Sequence, residues 1–263
     1  MLISHDTVGP TMAGPGIRYY HLARVLGRRF ELRLAGPEPA PQAQFAQEEP
    51  FSLFTYQRGV WPSIEEAARW AEVIILPSDT AADFPQLRGV DAALVIDGYD
   101  PLMAEWLALH GSMDVTTGGE HWRYRMQALH HQFEMGDFFI CASERQRDWW
   151  LGLLEAHGRL NPWNFAADPS FRRLLDVVAY GLPDGEPKHT RPVIKGVWPG
   201  IGPDDRLVLW GGGLWLWLDP LTAIRAVARI WQQRQDVRLV FPGTRHPNPM
   251  LAEIGSHNQA AKD

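Results

Sequence analysis

The sequence predicts an α/β protein built on a mostly parallel sheet, and three observations carry that prediction. Short β-type runs alternate with amphipathic helical segments from residue 2 to residue 180. A stretch rich in proline and glycine, GLPDGEPKHTRPVIKGVWPGIG over residues 181–202, then breaks the alternation. After it a fresh strand, helix and strand begin at Arg206. Strands separated by helices imply right-handed βαβ crossovers. The expected organisation is a Rossmann-like unit over residues 1–181, a linker over 182–203, and the beginning of a second such unit over 204–263.

In the first unit the expected strands cover residues 2–4, 31–35, 52–55, 73–76, 93–97, 138–142 and 176–180. The clearest helices cover 16–28, 63–70, 101–110, 121–133 and 143–157. In the first helix Tyr19, Leu22, Ala23 and Leu26 fall at i, i+3, i+4 and i+7, one buried stripe. Ser63, with Glu66 three residues on, reads as a capping box, and Ser143 as an N-cap. In the second unit, strands at 206–210 and 237–241 flank a helix at 220–233. Asp219 is its expected N-cap, Pro220 its first residue, and Leu221, Ile224, Ala228 and Trp231 its buried face. Residues 37–50 read as an exposed loop.

Composition narrows the function. With 263 residues, 45% of them hydrophobic and 21% charged, the chain has ample material for a core. A net charge of −6 and a pI near 5.9 argue against a general nucleic-acid binder. The single cysteine, Cys141 within FFICAS, permits no disulfide framework and reads as an inert core thiol. No signal-peptide pattern opens the sequence, and no apolar run approaches the roughly 18 residues of a membrane span. A cytoplasmic location is expected. Arg18, Arg24, Arg28 and Arg29 leave peripheral contact with a membrane face open. Twelve tryptophans are unusually many. Most are expected to fill core contacts, and one or two to stack on a sugar or base.

Two glycine loops are candidate ligand sites. GPTMAGPGIR, residues 9–18, joins the first strand to the first helix at the carboxyl end of the sheet, where open α/β folds bind ligands. Gly14 and Gly16 allow close backbone approach. Arg18 lies in the first helical turn, where a cation opposes the helix dipole, so it is expected to face an anion. The second loop, Gly211-Gly212-Gly213, lacks the third small residue and the acidic strand end of a dinucleotide fingerprint. It also lacks the Gly-Lys-Ser/Thr of a Walker loop. A less specific phosphate- or sugar-facing loop remains.

Asp97 ends the strand in VIDGYDP and is a candidate for substrate hydrogen bonding. Asp100 reads as a cap for the helix that follows. His121, ahead of a helix, is a candidate for proton chemistry. Arg145 and Arg147 either face a cleft or lie on a solvated helix face. His130-His131 has no metal-ligand spacing and no HExxH or CxxC occurs, so neither a metal nor another cofactor is expected. No Asp-x-Asp triplet occurs, which disfavours sugar transferases that hold the nucleotide through a divalent metal.

At AGPGIRYYHLA, VIDGYDP, GDFFICASERQRDWWLG, DVVAYGLP and LVLWGGGLWLWLDPLTAIRA the chain resembles the group 1 glycosyltransferases, glycosyltransferase family 4 of GT-B fold. The resemblance implies two Rossmann-like domains facing across a cleft. It implies transfer of a sugar from a nucleotide diphosphate sugar to a carbohydrate or lipid-linked acceptor, usually retaining and without an essential metal. By position, Gly14, Gly16 and Arg18 would be the loop near the donor phosphates and acceptor. Gly212 and Gly213 would face the diphosphate. Where many members carry Arg and Lys just after the second-domain strand, this chain has Trp215 and Trp217. The family's paired glutamates, which hold the donor's sugar and ribose, fall in a region beyond residue 263, so residues 1–263 alone are expected to be inactive. Two alternatives stand beside this reading: a nucleotide-sugar epimerase of the same fold, and a non-catalytic binding or interaction module.

Overall fold

The structure is a computed structural model that describes residues 1–38, 48–78, 80–110, 113–182, 185–215 and 217–243. Most of the 37–50 loop, Leu216 and part of the linker lie outside the described residues. The chain divides into two compact units, Met1–Gly181 and Leu182–Asp263.

The first unit carries seven parallel strands: β1 Leu2–Ile3, β2 Arg33–Pro37, β3 Ser52–Tyr56, β4 Val73–Pro77, β5 Ala93–Asp97, β6 Phe138–Cys141 and β7 Leu175–Val177. Their order is β3-β2-β1-β4-β5-β6-β7, and every pairing is parallel. The chain winds outward from β1 to β3, returns, and winds the other way from β4 to β7. The point of reversal lies between β1 and β4, where such sheets open a crevice beyond their carboxyl ends. The helices are α1 Gly14–Leu26, α2 Glu65–Trp70, α3 Thr80–Asp83, α4 Leu102–His110, α5 Val115–Met135, α6 Glu144–Ala156 and α7 Pro162–Ala167.

Both faces of the sheet are covered, which is why its central strands read as continuous apolar runs. Ile3, Ile74, Leu76, Leu94, Ile96, Phe139 and Cys141 share one core with Phe133 of α5 and Trp150 and Leu154 of α6. Leu2 and Leu34 share a second core with Tyr19 and Ala23 of α1, against which Leu22 and Leu26 also pack, as the helical spacing predicts. Gly16 lets α1 press on the first loop, since a Cβ there would lie 2.1 Å from the Thr7 carbonyl oxygen. Gly98 does the same for α6. The Trp150 indole donates to the Gly98 carbonyl at 2.8 Å, and a Cβ on Gly98 would lie 2.3 Å from the ring.

Several boundaries differ from the sequence reading. Helix α5 starts at Val115, six residues before the expected His121, because the Asp114 carboxylate accepts from the amides of Thr116 and Thr117. That cap outweighs the helix-weakening pair Gly118-Gly119. The Ser63 capping box does not form. Ser63 ends a short 3-10 turn and its hydroxyl bonds back to Gln57 and Val60, while Ile64 precedes α2 without a side-chain cap. Strand β7 ends at Val177, and Tyr180 has left the sheet. The Ser143 cap forms, accepting from the Gln146 amide. Cys141 is buried, and burial pushes its thiol up.

The second unit contains β8 Arg206–Leu209, α8 Pro220–Trp231 and β9 Val237–Val240, with β8 and β9 parallel. Asp219 caps α8 by accepting from the Thr222 amide at 3.0 Å. The buried side of α8 is Pro220 with the half-buried Leu221, Ile224 and Val227. Ala228 and Trp231, expected to be buried, are exposed.

The packing around two glycines of the α6 region makes their substitution informative. Gly98→Ala forces the Trp150 indole off its carbonyl and lowers the stability of the first unit by about 2 kcal/mol. Gly152→Ala, at an α6 position with open space around it, gains about 0.5–1 kcal/mol. Urea denaturation measures both. A further prediction concerns the contact between α5 and the end of α6, where His130 Nδ1 and His157 Nε2 lie 2.8 Å apart. Burial, then the neighbouring His130 charge, pull His157 below its ordinary 6.5, with Glu134 opposing. Below pH 6.5 the unfolded chain therefore takes up the proton before the folded one, and stability falls as pH falls. The urea midpoint drops between about pH 7.5 and pH 5.5, and His157→Gln flattens that slope.

Candidate functional site

The carboxyl ends of β1 and β5 meet the first turn of α1 at the reversal point of the sheet. Arg18 enters there from α1 and Asp97 from the tip of β5. Arg18 Nε donates to Asp97 Oδ2 at 2.7 Å, and its terminal nitrogen donates to Oδ1 at 2.9 Å. Both side chains are sealed, at 2% and 0% exposure. Tyr99 and Tyr180 each bring a ring to within 5.1 Å of the guanidinium carbon, and the two rings meet edge to face. The fully buried Tyr19 hydroxyl is a further donor beside Asp97, short of a hydrogen bond of normal geometry. Burial pushes the Asp97 carboxyl up while Arg18 pulls it back. Burial also opposes the charge on Arg18, but Asp97 outweighs it and Arg18 stays raised. The product is a neutral, bidentate pair under an aromatic lid.

Above the pair lies a half-exposed layer. His5 follows β1, and its Nε2 is 3.2 Å from the Tyr99 hydroxyl and 3.8 Å from Asp100 Oδ2. Asp100 belongs to the turn after β5. Glu105, from α4, is pushed up by burial while His5 pulls it down. The β5 turn is held from behind: Gln146 of α6 donates to the Tyr99 carbonyl at 2.8 Å and accepts from the Ala142 amide at 2.7 Å. Gly14 is exposed at the rim, where a Cβ would stand 3.9 Å from the Tyr180 hydroxyl.

Of the residues singled out by sequence, the structure brings together Gly14, Gly16, Arg18 and Asp97. Arg18 does face an anion, and that anion is Asp97. Gly16 serves the packing of α1 on Thr7. His121 is exposed on α5 and takes part in none of the crevice contacts described above. Arg147 is buried and holds α6 to β7, donating to the carbonyls of Leu175 and Ser170, while Arg145 is exposed. In the second unit, Gly211, Gly212 and Gly213 follow β8. Nothing crowds Gly211, whereas the Trp210 indole donates to the Gly213 carbonyl at 3.0 Å and the Trp215 ring covers Gly213. Trp215 and Trp217 stack in parallel, 5.0 Å apart.

Sequence reasoning missed His5, Tyr99, Tyr180 and Glu105. The rule that selected Asp97, a polar residue at the carboxyl tip of a strand, applies equally to His5 just after β1. Tyr180 was hidden by its assignment to a strand. Among the described residues, no group of three or more His, Cys, Asp or Glu could hold a metal ion, and no helix is long and apolar enough to cross a membrane. No protein-family model matches the chain, and no curated protein matches its sequence.

Removing one partner of the sealed pair leaves the other buried and uncompensated. Arg18→Met and Asp97→Leu each lower stability by about 3–5 kcal/mol. The double variant Arg18→Met/Asp97→Leu loses clearly less than the sum. Urea denaturation of the four proteins reads both results.

Proposed function

We propose that this chain belongs to a glycosyltransferase that moves a sugar from a nucleotide diphosphate sugar to a hydroxyl-bearing acceptor, with a retaining, metal-independent course. The observation that carries the proposal is the first crevice: an imidazole, carboxylates and aromatic faces gathered at the reversal point of a parallel sheet. A second strand–glycine loop–helix unit follows it on the same chain. The resemblance in sequence to group 1 glycosyltransferases supports the same assignment.

The chemistry asks for two things. The departing nucleoside diphosphate gains negative charge and needs preorganised donors. In the second unit Pro220 has no amide hydrogen, and Asp219 already occupies the Thr222 amide at the start of α8. The diphosphate therefore falls to the amides of Gly211, which nothing crowds, and Gly212, beside which the Leu218 side chain stands. Arg18, already held by Asp97, takes no part. The acceptor hydroxyl must also lose its proton, and His5, beside Asp100, is the group of the first crevice suited to receive it near neutral pH.

One observation favours a non-catalytic binding module instead: the Trp210 indole and the Trp215 ring both engage Gly213, taking up part of the loop a phosphate would use. A thermal-shift panel of nucleotide diphosphate sugars separates the readings. A bound donor at about a hundred times its Kd adds about 2.7 kcal/mol of stability and raises Tm. Gly212→Asp, which places a carboxylate against the diphosphate, is expected to weaken that donor at least about tenfold. No response to any donor sinks the transferase reading and leaves the module.

A further inference from the structure

His130 and His131 are neighbours in sequence without metal-ligand spacing, and the structure gives their rings different partners. His131 Nδ1 lies 3.3 Å from a terminal nitrogen of Arg88. His130, on α5, instead meets His157, the residue that closes α6 and stands 27 positions further along the chain. His130 Nδ1 and His157 Nε2 are 2.8 Å apart. The His157 ring is half-buried and packs 4.7 Å from the ring of Phe133, which is sealed in the core. The His130 ring is exposed. The pair thus has the core on one side and water on the other.

Two ring nitrogens this close can share a proton or a cation, and neutral imidazole is a common ligand of late first-row metals. With metal–nitrogen bonds of about 2.0–2.1 Å, two ligands at a right angle stand about 2.8–3.0 Å apart, whereas the tetrahedral angle needs about 3.3–3.4 Å. The observed 2.8 Å is the right-angle value. Tetragonal coordination by nitrogen and oxygen is the preference of Cu2+ and Ni2+. Binding releases no proton. The N–H that lies between the rings moves to the outer nitrogen of its own imidazole, which leaves both facing lone pairs for the metal. Glu134, one turn after His130 on α5, is held by Arg88 at 2.5 Å and is not a ligand here. We infer that His130 and His157 form a two-nitrogen chelate for Cu2+ or Ni2+, with water in the remaining positions, that clips the end of α6 to α5. It has fewer protein ligands than the three-residue groups that are absent among the described residues. It uses no residue of the first crevice, so it does not depend on the transferase reading.

The test uses the full chain, stripped of metal with EDTA and dialysed, at about pH 7.5, where imidazole is mostly neutral. Calorimetry with NiCl2 reads affinity, and electron paramagnetic resonance with one equivalent of CuCl2 reads the ligand set. The expected spectrum is tetragonal with coupling to two imidazole nitrogens, and Ni2+ raises the urea midpoint. His130→Gln and His157→Gln should each weaken Ni2+ at least about tenfold and remove one nitrogen from the copper spectrum. His131→Gln, whose ring faces Arg88, should change neither. Each variant is compared with its own metal-free midpoint, so a loss of stability is not mistaken for a loss of binding. The inference is overturned by the absence of Ni2+ and Cu2+ binding, by binding that neither His130→Gln nor His157→Gln weakens, or by an equal loss in His131→Gln.

Discussion

The first unit is organised around one buried ion pair. Arg18 and Asp97 lie 79 residues apart in sequence, yet their two hydrogen bonds join the first turn of α1 to the tip of β5. A guanidinium cannot shed its charge at accessible pH, so burying it requires an anion of matching shape. A carboxylate presented edge-on supplies that shape. Tyr99 and Tyr180 then cover the pair, and to do so Tyr180 must leave the sheet. The half-exposed layer with His5 and Asp100 stands on this floor.

Desolvating both ions is costly, and such a pair is seldom a net source of stability compared with an apolar replacement. What it supplies is register. It sets where α1 begins relative to β5, and with it the relative positions of the loops that follow β1 and β5. Gln146 and Trp150 fix the β5 turn from the opposite side through the carbonyls of Tyr99 and Gly98. The turn carrying Tyr99 and Asp100 is thereby held by three side chains from two helices.

Much of the fold could be read from the sequence because the central strands are buried on both faces. VIIL and ALVI are apolar throughout, and the structure places both strands where the reading does. The stripe on α1 was legible for the same reason. Boundaries were less legible wherever a side chain outweighs intrinsic propensity, as Asp114 does for α5. Ser63 shows the converse: a matching motif whose hydroxyl finds nearer partners in its own turn. At the candidate site, the helix dipole pointed to an anion beside Arg18, expected to be a donor phosphate, whereas the structure pairs Arg18 with Asp97 of the same chain. The identity of the anion was not legible, because no local pattern links residue 18 to residue 97. The exposed lower half of α8 was misread because helical periodicity gives the apolar stripe but not how far along the helix it is covered.

The sealed pair also bears on how this sequence can change over time. Because both side chains are sealed from solvent, losing either member strands the other, and restoring the first is the shortest way back. Positions 18 and 97 are thus bound to a shared fate. Lineages that depart from arginine and aspartate should do so at both positions together, through apolar or exchanged pairs, while the rim at Gly14 and the exposed face of α8 drift independently of them.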